Sequence, residues 1–414
     1  MRILISAGEA SGEMYGAQLI AALRNELAHV SAAARGGLAE RSSANTTGDQ
    51  DIQFFGVGGE KMRAAGCDIV VDSKELAVVG ITEILRDLQK IWRLFHKLIA
   101  EADRRKADLA VVIDSPAFNW RVARQMKKRG IPVVYYVCPQ FWAWRQGRVR
   151  LLRKYIDKAL VIFPFEEKFY RERGVDAEFV GHPLADLPRP AISREEYAAN
   201  FALDPAKPWI TLMPGSRVKE VRMNLPAMLQ AADRLGGSYE FLLPIAHTLD
   251  KRLVQQLVSS HGSKLTKPTS VHLVPEALFA LAHSRAGIIA SGTATVEAAV
   301  MELPFVMVYR VTPLTYWLGR STVKVPHFAM VNLIAGEQIV PELVQDDFTP
   351  EKVVAEVNGI IPDSATRTRM LAGLRGVRER LRCHGEDVHP AERAARSILS
   401  LWHNETRVMR AKSL

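Results

Sequence analysis

The chain has 414 residues, more than one ordinary hydrophobic core holds, so two domains are the first expectation. Hydrophobic residues make up 48% and charged residues 24% of the sequence, a mixture that excludes a largely disordered chain. The net charge of +10 favours an anionic partner, and nucleic acid, anionic lipid or a phosphorylated substrate would each satisfy it.

Short apolar runs alternate with helical patterns through the first half of the chain. The runs are continuous rather than alternating with polar residues, which is typical of strands covered on both faces by helices. The predicted strands cover 2–7, 54–58, 109–114, 133–138, 160–164 and 178–181. A stretch rich in proline and acidic residues at 183–190 predicts a linker.

The same pattern restarts beyond this linker. The second set of predicted strands covers 209–213, 239–244, 271–274, 287–290 and 304–309. Two such arrays predict an α/β protein of two doubly wound, Rossmann-like domains that face a cleft. We place them at 1–186 and 187–377, followed by a helical segment at 378–414. Ligands of such sheets bind beyond the carboxyl ends of the strands, so the loops there are the candidate sites.

The segment 32–51 interrupts the rhythm and predicts a polar surface insertion. Its Asp49 and Asp51 form an Asp-x-Asp pair, but no further ligands support it, so we predict no metal site. The three isolated cysteines fit neither a disulfide framework nor a zinc cluster. No apolar run reaches the roughly 18–20 residues of a membrane span, and no secretory cleavage region precedes the first strand. These features predict a cytoplasmic protein.

The loop after the first strand, 8–13, contains Glu9, Ser11 and Glu13 among small residues. Small residues let a ligand approach the N–H groups of the following helix, but the two carboxylates disfavour phosphate there. A hydroxyl-rich acceptor therefore suits the loop. A tight turn with an acidic first helical turn is the structural alternative.

Asp114 is the last residue of the strand predicted at 109–114 and is a candidate general base, because it stands at the catalytic position of an α/β fold. The alternative is a helix cap, with Asp114 or Ser115 satisfying N–H groups ahead of Pro116. After the next strand come Trp144 and Arg145, which suit stacking on a sugar beside a phosphate. Core tryptophans beside a solvated basic helix would give the same pattern.

Two loops of the second half predict a nucleotide site. The first holds Gly215, Ser216 and Arg217, whose N–H, hydroxyl and guanidinium donors match phosphate oxygens. The second loop consists of Ser291, Gly292, Thr293 and Ala294. Glu297 lies one turn into the helix that follows, where its carboxylate could accept hydrogen bonds from ribose hydroxyls.

An apolar stripe with basic flanks occupies the region around 76–95. The residues we take as candidates for membrane contact are Leu76, Val78, Val79, Ile81, Leu85 and Leu88. An amphipathic helix of this spacing commonly packs on a core, but its basic flanks are also typical of interfacial segments.

These loops together resemble the lipid-A-disaccharide synthase family over nearly the whole chain. The matching segments are 6–12, 55–59, 76–83, 142–146, 181–183, 214–217, 291–294 and 331–336. The resemblance implies a GT-B fold and an inverting transfer that needs no metal or cofactor. UDP-2,3-diacylglucosamine would donate its sugar to the 6-hydroxyl of 2,3-diacylglucosamine 1-phosphate, giving a β-1,6-linked disaccharide and UDP.

The resemblance also implies roles for individual residues. Asp114 would be the base, Arg217 and the loop 291–294 would hold the diphosphate, Glu297 the ribose, and Asn332 would line the donor pocket. Glu9, Ser11, Glu13, Trp144 and Arg145 are expected on the acceptor side. The segment 76–88 would contact the inner face of the cytoplasmic membrane, nucleic acid would not be a partner, and a homodimer would exchange the C-terminal segments.

Three features depart from the family pattern. Ala117 stands where the family commonly has a second acidic residue, which favours Asp114 as the base; Glu13 replaces an aspartate; and the insertion 32–51 has no family role. Two alternatives remain at this point. One is another UDP-N-acetylglucosamine enzyme of the same fold, such as a 2-epimerase or a lipid II glycosyltransferase. The other is a non-catalytic, basic membrane- or nucleic-acid-binding protein.

Overall fold

The computed structural model describes residues 1–36, 52–76, 81–144, 146–246, 248–262, 270–312, 316–317, 325–383 and 388–412. The chain divides into two compact units, one formed by 1–183 with 383–414 and the other by 184–382. The first boundary falls inside the predicted linker. None of the helices in the described ranges is both long enough and apolar enough to cross a bilayer.

The first unit is a parallel sheet whose described strands run in the order β3-β2-β1-β4-β5-β6-β7. The strands are β1 (Arg2–Ala7), β2 (Gln53–Gly58), β3 (Cys67–Asp72), β4 (Leu109–Ile113), β5 (Val133–Tyr136), β6 (Lys158–Val161) and β7 (Ala177–Phe179). Their apolar side chains are almost entirely buried, as continuous runs require. The sequence pattern did not predict β3, an edge strand whose exposed Asp68 interrupts its apolar run.

Helices connect these strands and cover the sheet. They are α1 (Ala10–Gly36), α2 (Glu60–Ala64), α3 (Ser73–Leu76), α4 (Ile81–Arg105), α5 (Pro116–Lys128), α6 (Val149–Tyr155) and α7 (Pro164–Arg171). The inward faces of α4 and α5 bury Leu98, Ile99, Val122 and Met126 in the same core as the strands.

The second unit repeats the design with the strand order β10-β9-β8-β11-β12-β13. The strands are β8 (Trp209–Met213), β9 (Glu240–Pro244), β10 (Val271–Val274), β11 (Ala286–Ala290), β12 (Phe305–Tyr309) and β13 (Glu342–Val344). The described helices are α8 (Arg194–Phe201), α9 (Val218–Leu235), α10 (Lys251–Gly262), α11 (Ala277–His283), α12 (Thr293–Val300), α13 (Met330–Ala335), α14 (Pro350–Ile360) and α15 (Ala365–Arg380). The short β13 was also not predicted.

The last helix, α16 (Pro390–Lys412), returns to the first unit and packs along α1. Its buried residues recur at the spacing of one helical face and are Ala391, Ala394, Ala395, Ile398 and Leu399. Polar contacts fix it further, because Arg396 Nε lies 2.7 Å from Glu26 Oε1 and Ser397 Oγ lies 2.7 Å from Glu178 Oε2. Exchange of this helix between two copies of the chain stays a prediction.

Candidate active site

In each sheet the candidate loops lie where the strand order changes direction. In the first sheet this point lies between β1 and β4, which are neighbours. The loop with Glu9 and Ser11 follows β1, and Asp114 follows β4. In the second sheet the change lies between β8 and β11, and the loops 214–217 and 291–294 follow those two strands. Ligands of doubly wound sheets bind at such points.

Asp114 occupies an unusual backbone conformation. Asp114 and Ser115 have φ values of 47° and 45°, so two successive residues other than glycine are in the left-handed region. Each such residue costs roughly 1–2 kcal/mol. The turn leaves Asp114 half-buried, neither sealed in the core nor fully exposed. Surrounding contacts must hold a strained turn of this kind in place. Such strain concentrates at functional sites.

Asn119 provides most of those contacts. Its buried Nδ2 donates to the carbonyl oxygens of Ile113 and Asp114, at 2.8 Å each, and to that of Ser6 at 3.1 Å. Its Oδ1 accepts from Ser6 Oγ at 2.7 Å. Tyr135 adds a hydroxyl that donates to the Asp114 carbonyl oxygen at 2.7 Å. These groups hold the turn, and sequence reasoning assigned none of them a role.

The loop after β1 packs directly against this turn. A Cβ atom on Gly8 would lie 2.5 Å from Ser115 Oγ, so the two loops approach as closely as a glycine permits. Glu9 is exposed and Ser11 is half-buried beside it. The acceptor-side role of Glu13 stays a prediction; its Oε1 accepts the Lys61 N–H at 2.7 Å within the first turn of α2. In this structure Glu13 caps that helix.

Residues expected beyond β5 have different outcomes. Trp144 is 45% exposed and therefore available to a ligand surface, whereas Trp142 is buried. Arg145 lies outside the described residues. The structural alternative for this loop, a tryptophan buried in the core, holds for Trp142 and does not hold for Trp144.

In the second unit, Gly215, Ser216 and Arg217 form the turn between β8 and α9. Gly215 has a φ of 123°, and a Cβ atom there would lie 2.5 Å from Glu220 Oε2. Glu220 Oε2 accepts the N–H groups of Ser216 and Arg217 at 3.0 and 3.3 Å, and its Oε1 pairs with Arg217 Nη1 at 2.9 Å. A carboxylate of the chain thus caps the N-terminus of α9 through these donors, which are groups of the kind that also bind phosphate oxygens.

The turn 291–294 opens α12, whose N-cap residue is Gly292. Gly292 and Thr293 are exposed there, and Ala294 is half-buried. Ser291 Oγ donates to the Phe328 carbonyl oxygen at 2.9 Å. Glu297 is half-buried one turn later, and burial raises the pKa of its carboxyl.

Asn332 does not present its amide to an open surface, contrary to the expectation that it lines the donor pocket. It is fully buried. Its Nδ2 donates to the Val340 carbonyl oxygen and to Glu342 Oε1, and its Oδ1 accepts from the N–H groups of Ile339 and Val340. Asn332 therefore stabilises the segment 329–342. Glu342 in addition accepts the N–H of Phe328, the residue whose carbonyl oxygen accepts from Ser291 Oγ.

Comparison with known proteins decides the family. The lipid-A-disaccharide synthetase family model matches residues 3–382. The lipid-A-disaccharide synthase of Koribacter versatilis is 52% identical over 402 residues, covering 97% of this chain and 98% of the relative. The chain belongs to the lipid-A-disaccharide synthase family. A second lipid-A-disaccharide synthase, from Acidobacterium capsulatum, is 46% identical and covers 92% of both chains.

Solved structures place this family member in the GT-B fold. The UDP-GlcNAc 2-epimerase of Neisseria meningitidis, bound to UDP-GlcNAc, superposes with a TM-score of 0.61. It covers 98% of this chain and 100% of its own, at 11% identity, so it shows the fold alone. The calicheamicin glycosyltransferase CalG4, which is 17% identical, shares this likeness with a TM-score of 0.53. The family match favours lipid A disaccharide synthesis over the epimerase and lipid II alternative.

Within this family member, the position that commonly carries a second acidic residue is Ala117, which is exposed in the first turn of α5. Asp114 is consequently the carboxylate that the turn after β4 offers. The described part of the chain contains no cluster of three or more histidine, cysteine, aspartate or glutamate side chains arranged for a metal ion. Asp49 and Asp51 lie outside the described residues.

The predicted membrane-contact stripe divides into two faces. Ile91, Leu94 and Phe95 pack against the core of the first unit, as does the half-buried Leu76. Leu88 and Trp92, one helical turn apart, are instead 56% and 63% exposed. Val78 and Val79, and the side chains of Ile81 and Leu85, lie outside the described residues. Core packing therefore explains one face of α4 and leaves the other to solvent.

Two buried titratable groups that follow the strands β6 and β7 have strongly shifted pKa values. Burial raises the pKa of Glu166 to about 7, although hydrogen bonds from Trp142 and two backbone N–H groups act in the opposite direction. Burial lowers the pKa of His182 to about 3. Both groups prefer their neutral forms in the folded protein.

We expect these shifts to give opposite pH dependences of stability. The folded pKa of Glu166 exceeds its ordinary value of about 4.3, so its contribution is full below that value and is lost as pH rises through about 7. His182, whose folded pKa is depressed, loses its contribution as pH falls below about 6.5. The free energy of unfolding of wild type, measured with urea, should therefore fall by at most about 3 kcal/mol between pH 5 and pH 8. This fall should be absent in Glu166→Gln.

The control for this measurement is Glu167→Gln on the same helix, which changes the same charge outside the core. Its unfolding curves should keep the wild-type slope over this range. Identical slopes for wild type and Glu166→Gln would show that Glu166 does not titrate between these pH values.

Proposed function

We propose that this chain transfers 2,3-diacylglucosamine from its UDP-linked donor to the 6-hydroxyl of 2,3-diacylglucosamine 1-phosphate. Asp114 takes the hydroxyl proton as O6 attacks the anomeric carbon of the donor. The bond from that carbon to the diphosphate oxygen breaks on the opposite side, so the configuration inverts and UDP leaves. The products are the β-1,6-linked disaccharide 1-phosphate and UDP.

This proposal is supported by the family to which the chain belongs and by the positions of the candidate loops in the two sheets. A strained, half-buried carboxylate follows β4 at the turning point of the first sheet, and an anion-holding turn follows β8 at that of the second. The first arrangement suits proton abstraction and the second suits a nucleotide diphosphate. Glu9, Ser11 and Trp144 would contact the acceptor, and Glu297 would accept hydrogen bonds from the ribose.

We propose that the reaction needs no metal or other cofactor. Negative charge develops on the leaving UDP, and Arg217 together with the N–H groups that open α12 would stabilise it. Glu220 would release Arg217 and the two N–H groups when the diphosphate binds, because one anion replaces another on the same donors.

The deciding experiment is incubation of the purified protein with both diacylated substrates, followed by mass spectrometry of UDP and the disaccharide. We expect equimolar UDP and disaccharide. A parallel incubation with unacylated UDP-N-acetylglucosamine tests the alternative enzyme class. Turnover of that compound, with none of the diacylated pair, would overturn the proposal.

We also propose that the first unit binds the surface of an anionic membrane. Leu88 and Trp92 are exposed on α4, and exposed cations lie on the neighbouring helices α5 and α6, which carry no acidic residue. These cations include Arg121, Arg124, Arg150, Arg153 and Lys154. Each cation near an anionic surface contributes about 1 kcal/mol, and the exposed tryptophan suits the interfacial layer.

We expect reversal of two of these charges, in Arg150→Glu with Arg153→Glu, to weaken binding to phosphatidylglycerol-containing vesicles at least tenfold. Co-sedimentation at low and moderate salt measures this effect. Reversal of Lys251 and Arg252, two exposed cations of the second unit, is the matched control and should bind like wild type. Equal loss in both variants would mean that only net charge matters.

A further inference from the structure

The loop that carries Trp144 starts from a strained residue. Val137, directly after β5, has a φ of 57°, a conformation that β-branched residues rarely adopt. Its N–H donates to the Leu160 carbonyl oxygen at 3.0 Å. A chain that leaves a sheet in this way needs contacts beyond the turn to hold its direction.

A buried carboxylate on α7 provides the central contact. Glu166 is fully buried, and its Oε1 accepts from Trp142 Nε1 at 2.8 Å. Its Oε2 accepts the N–H groups of Ile162 and Phe163 at 3.2 and 3.1 Å, so the same side chain closes the N-terminal turn of α7. One carboxylate thereby joins the loop after β5 to the helix after β6.

Further contacts fix the same loop to the same helix. The Tyr170 hydroxyl donates to the Pro139 carbonyl oxygen. The rings of Trp142 and Phe165 meet edge to face, with their centroids 4.9 Å apart. Gln146 Nε2 closes the loop from the other side by donating to the Trp142 carbonyl oxygen at 3.0 Å. Trp144 stands 45% exposed on this otherwise secured loop, two residues from the buried Trp142.

We infer that Glu166 is a positioning residue for the acceptor, acting through Trp142 to fix Trp144 against the acceptor sugar. This inference rests on the proposed function, which gives Trp144 its sugar. An indole ring offers a flat apolar face to the C–H face of a glucosamine ring, and the contact is effective only when the indole is held in place. An unsecured loop would have to be ordered by each acceptor that binds.

The test compares Glu166→Gln and Trp142→Phe with wild type. Trp142→Phe keeps an aromatic ring beside Phe165 and removes the N–H donor together with part of the indole volume. Both variants should raise the KM for the acceptor roughly tenfold, with kcat at saturating acceptor and the Kd for UDP within about twofold of wild type. Glu167→Gln is the matched control and should keep the wild-type KM. An acceptor KM that stays within twofold in folded Trp142→Phe would overturn the inference, even if Glu166→Gln fails to fold.

A double variant separates positioning from general destabilisation. If Glu166 acts through Trp144, then Trp144→Ala combined with Glu166→Gln raises the acceptor KM no further than Trp144→Ala alone. Multiplied effects would overturn the inference. Amide hydrogen exchange gives a readout without turnover: the segment 137–144 should exchange roughly tenfold faster in Glu166→Gln, with strands β8 and β9 unchanged. Absence of UDP release by wild type would count against the proposed function. Normal turnover by wild type, with an unchanged acceptor KM in the variants, would count only against the role of Glu166.

Discussion

Replacement of Asp114 by asparagine is expected to lower kcat by roughly 10³-fold, while the Kd for UDP stays within about twofold of wild type. Asparagine tolerates the left-handed conformation that Asp114 adopts, and it has nearly the same shape. The Asn119 and Tyr135 bonds reach the carbonyl oxygen of residue 114 rather than its side chain, so they remain in place. The substitution therefore removes the base and keeps these backbone contacts.

Single-turnover rates and UDP titrations measure the two quantities separately. Asp103→Asn is the matched control, because Asp103 is a surface carboxylate of α4 paired with Arg129. It should keep wild-type turnover. Retention of more than a tenth of wild-type kcat by Asp114→Asn would remove Asp114 from the role of general base.

Replacement of Arg217 by alanine should weaken UDP binding by about tenfold to a hundredfold and raise the donor KM in parallel. A charge-assisted hydrogen bond to phosphate contributes roughly 1.5–3 kcal/mol. Part of that free energy is offset by loss of the bond between the Arg217 guanidinium and Glu220, which must break when phosphate binds. Asp114 acts on the acceptor, so kcat at saturating donor should change much less than in Asp114→Asn.

Isothermal titration with UDP provides the measurement for this second variant. Lys219→Ala is its control, since Lys219 is an exposed cation two residues along the same helix. If both variants lose the same affinity, the effect belongs to the general positive field. If neither loses affinity, the diphosphate binds elsewhere.

The positions of most strands along the chain were predictable from the sequence, because strands buried on both faces have continuous apolar runs. The two omissions have physical reasons. The strand β3 lies at a sheet edge and has the exposed Asp68 as its second residue, and β13 has only three residues. Neither run is long enough or apolar enough to stand out against a loop.

The places of the candidate loops in the two sheets were predictable, and the contacts of their residues were not. The rule that ligands bind beyond strand ends located Asp114 and the turn at 214–217. It did not reveal the left-handed turn at Asp114, because that turn depends on contacts from Asn119 and Tyr135 that only the folded sheet brings together. For the same reason Asn332 was taken as a ligand contact, although its amide is satisfied inside the protein.

The return of α16 to the first unit makes that unit discontinuous along the chain. Domains generally fold as they emerge during synthesis. The face of α1 that packs against α16 nevertheless stays uncovered until the whole second unit has been made. The apolar face of α1 would meanwhile be open to chaperones or to another nascent copy. Completion of the first half of this protein therefore waits for its last helix, and truncation there would damage the part translated earliest.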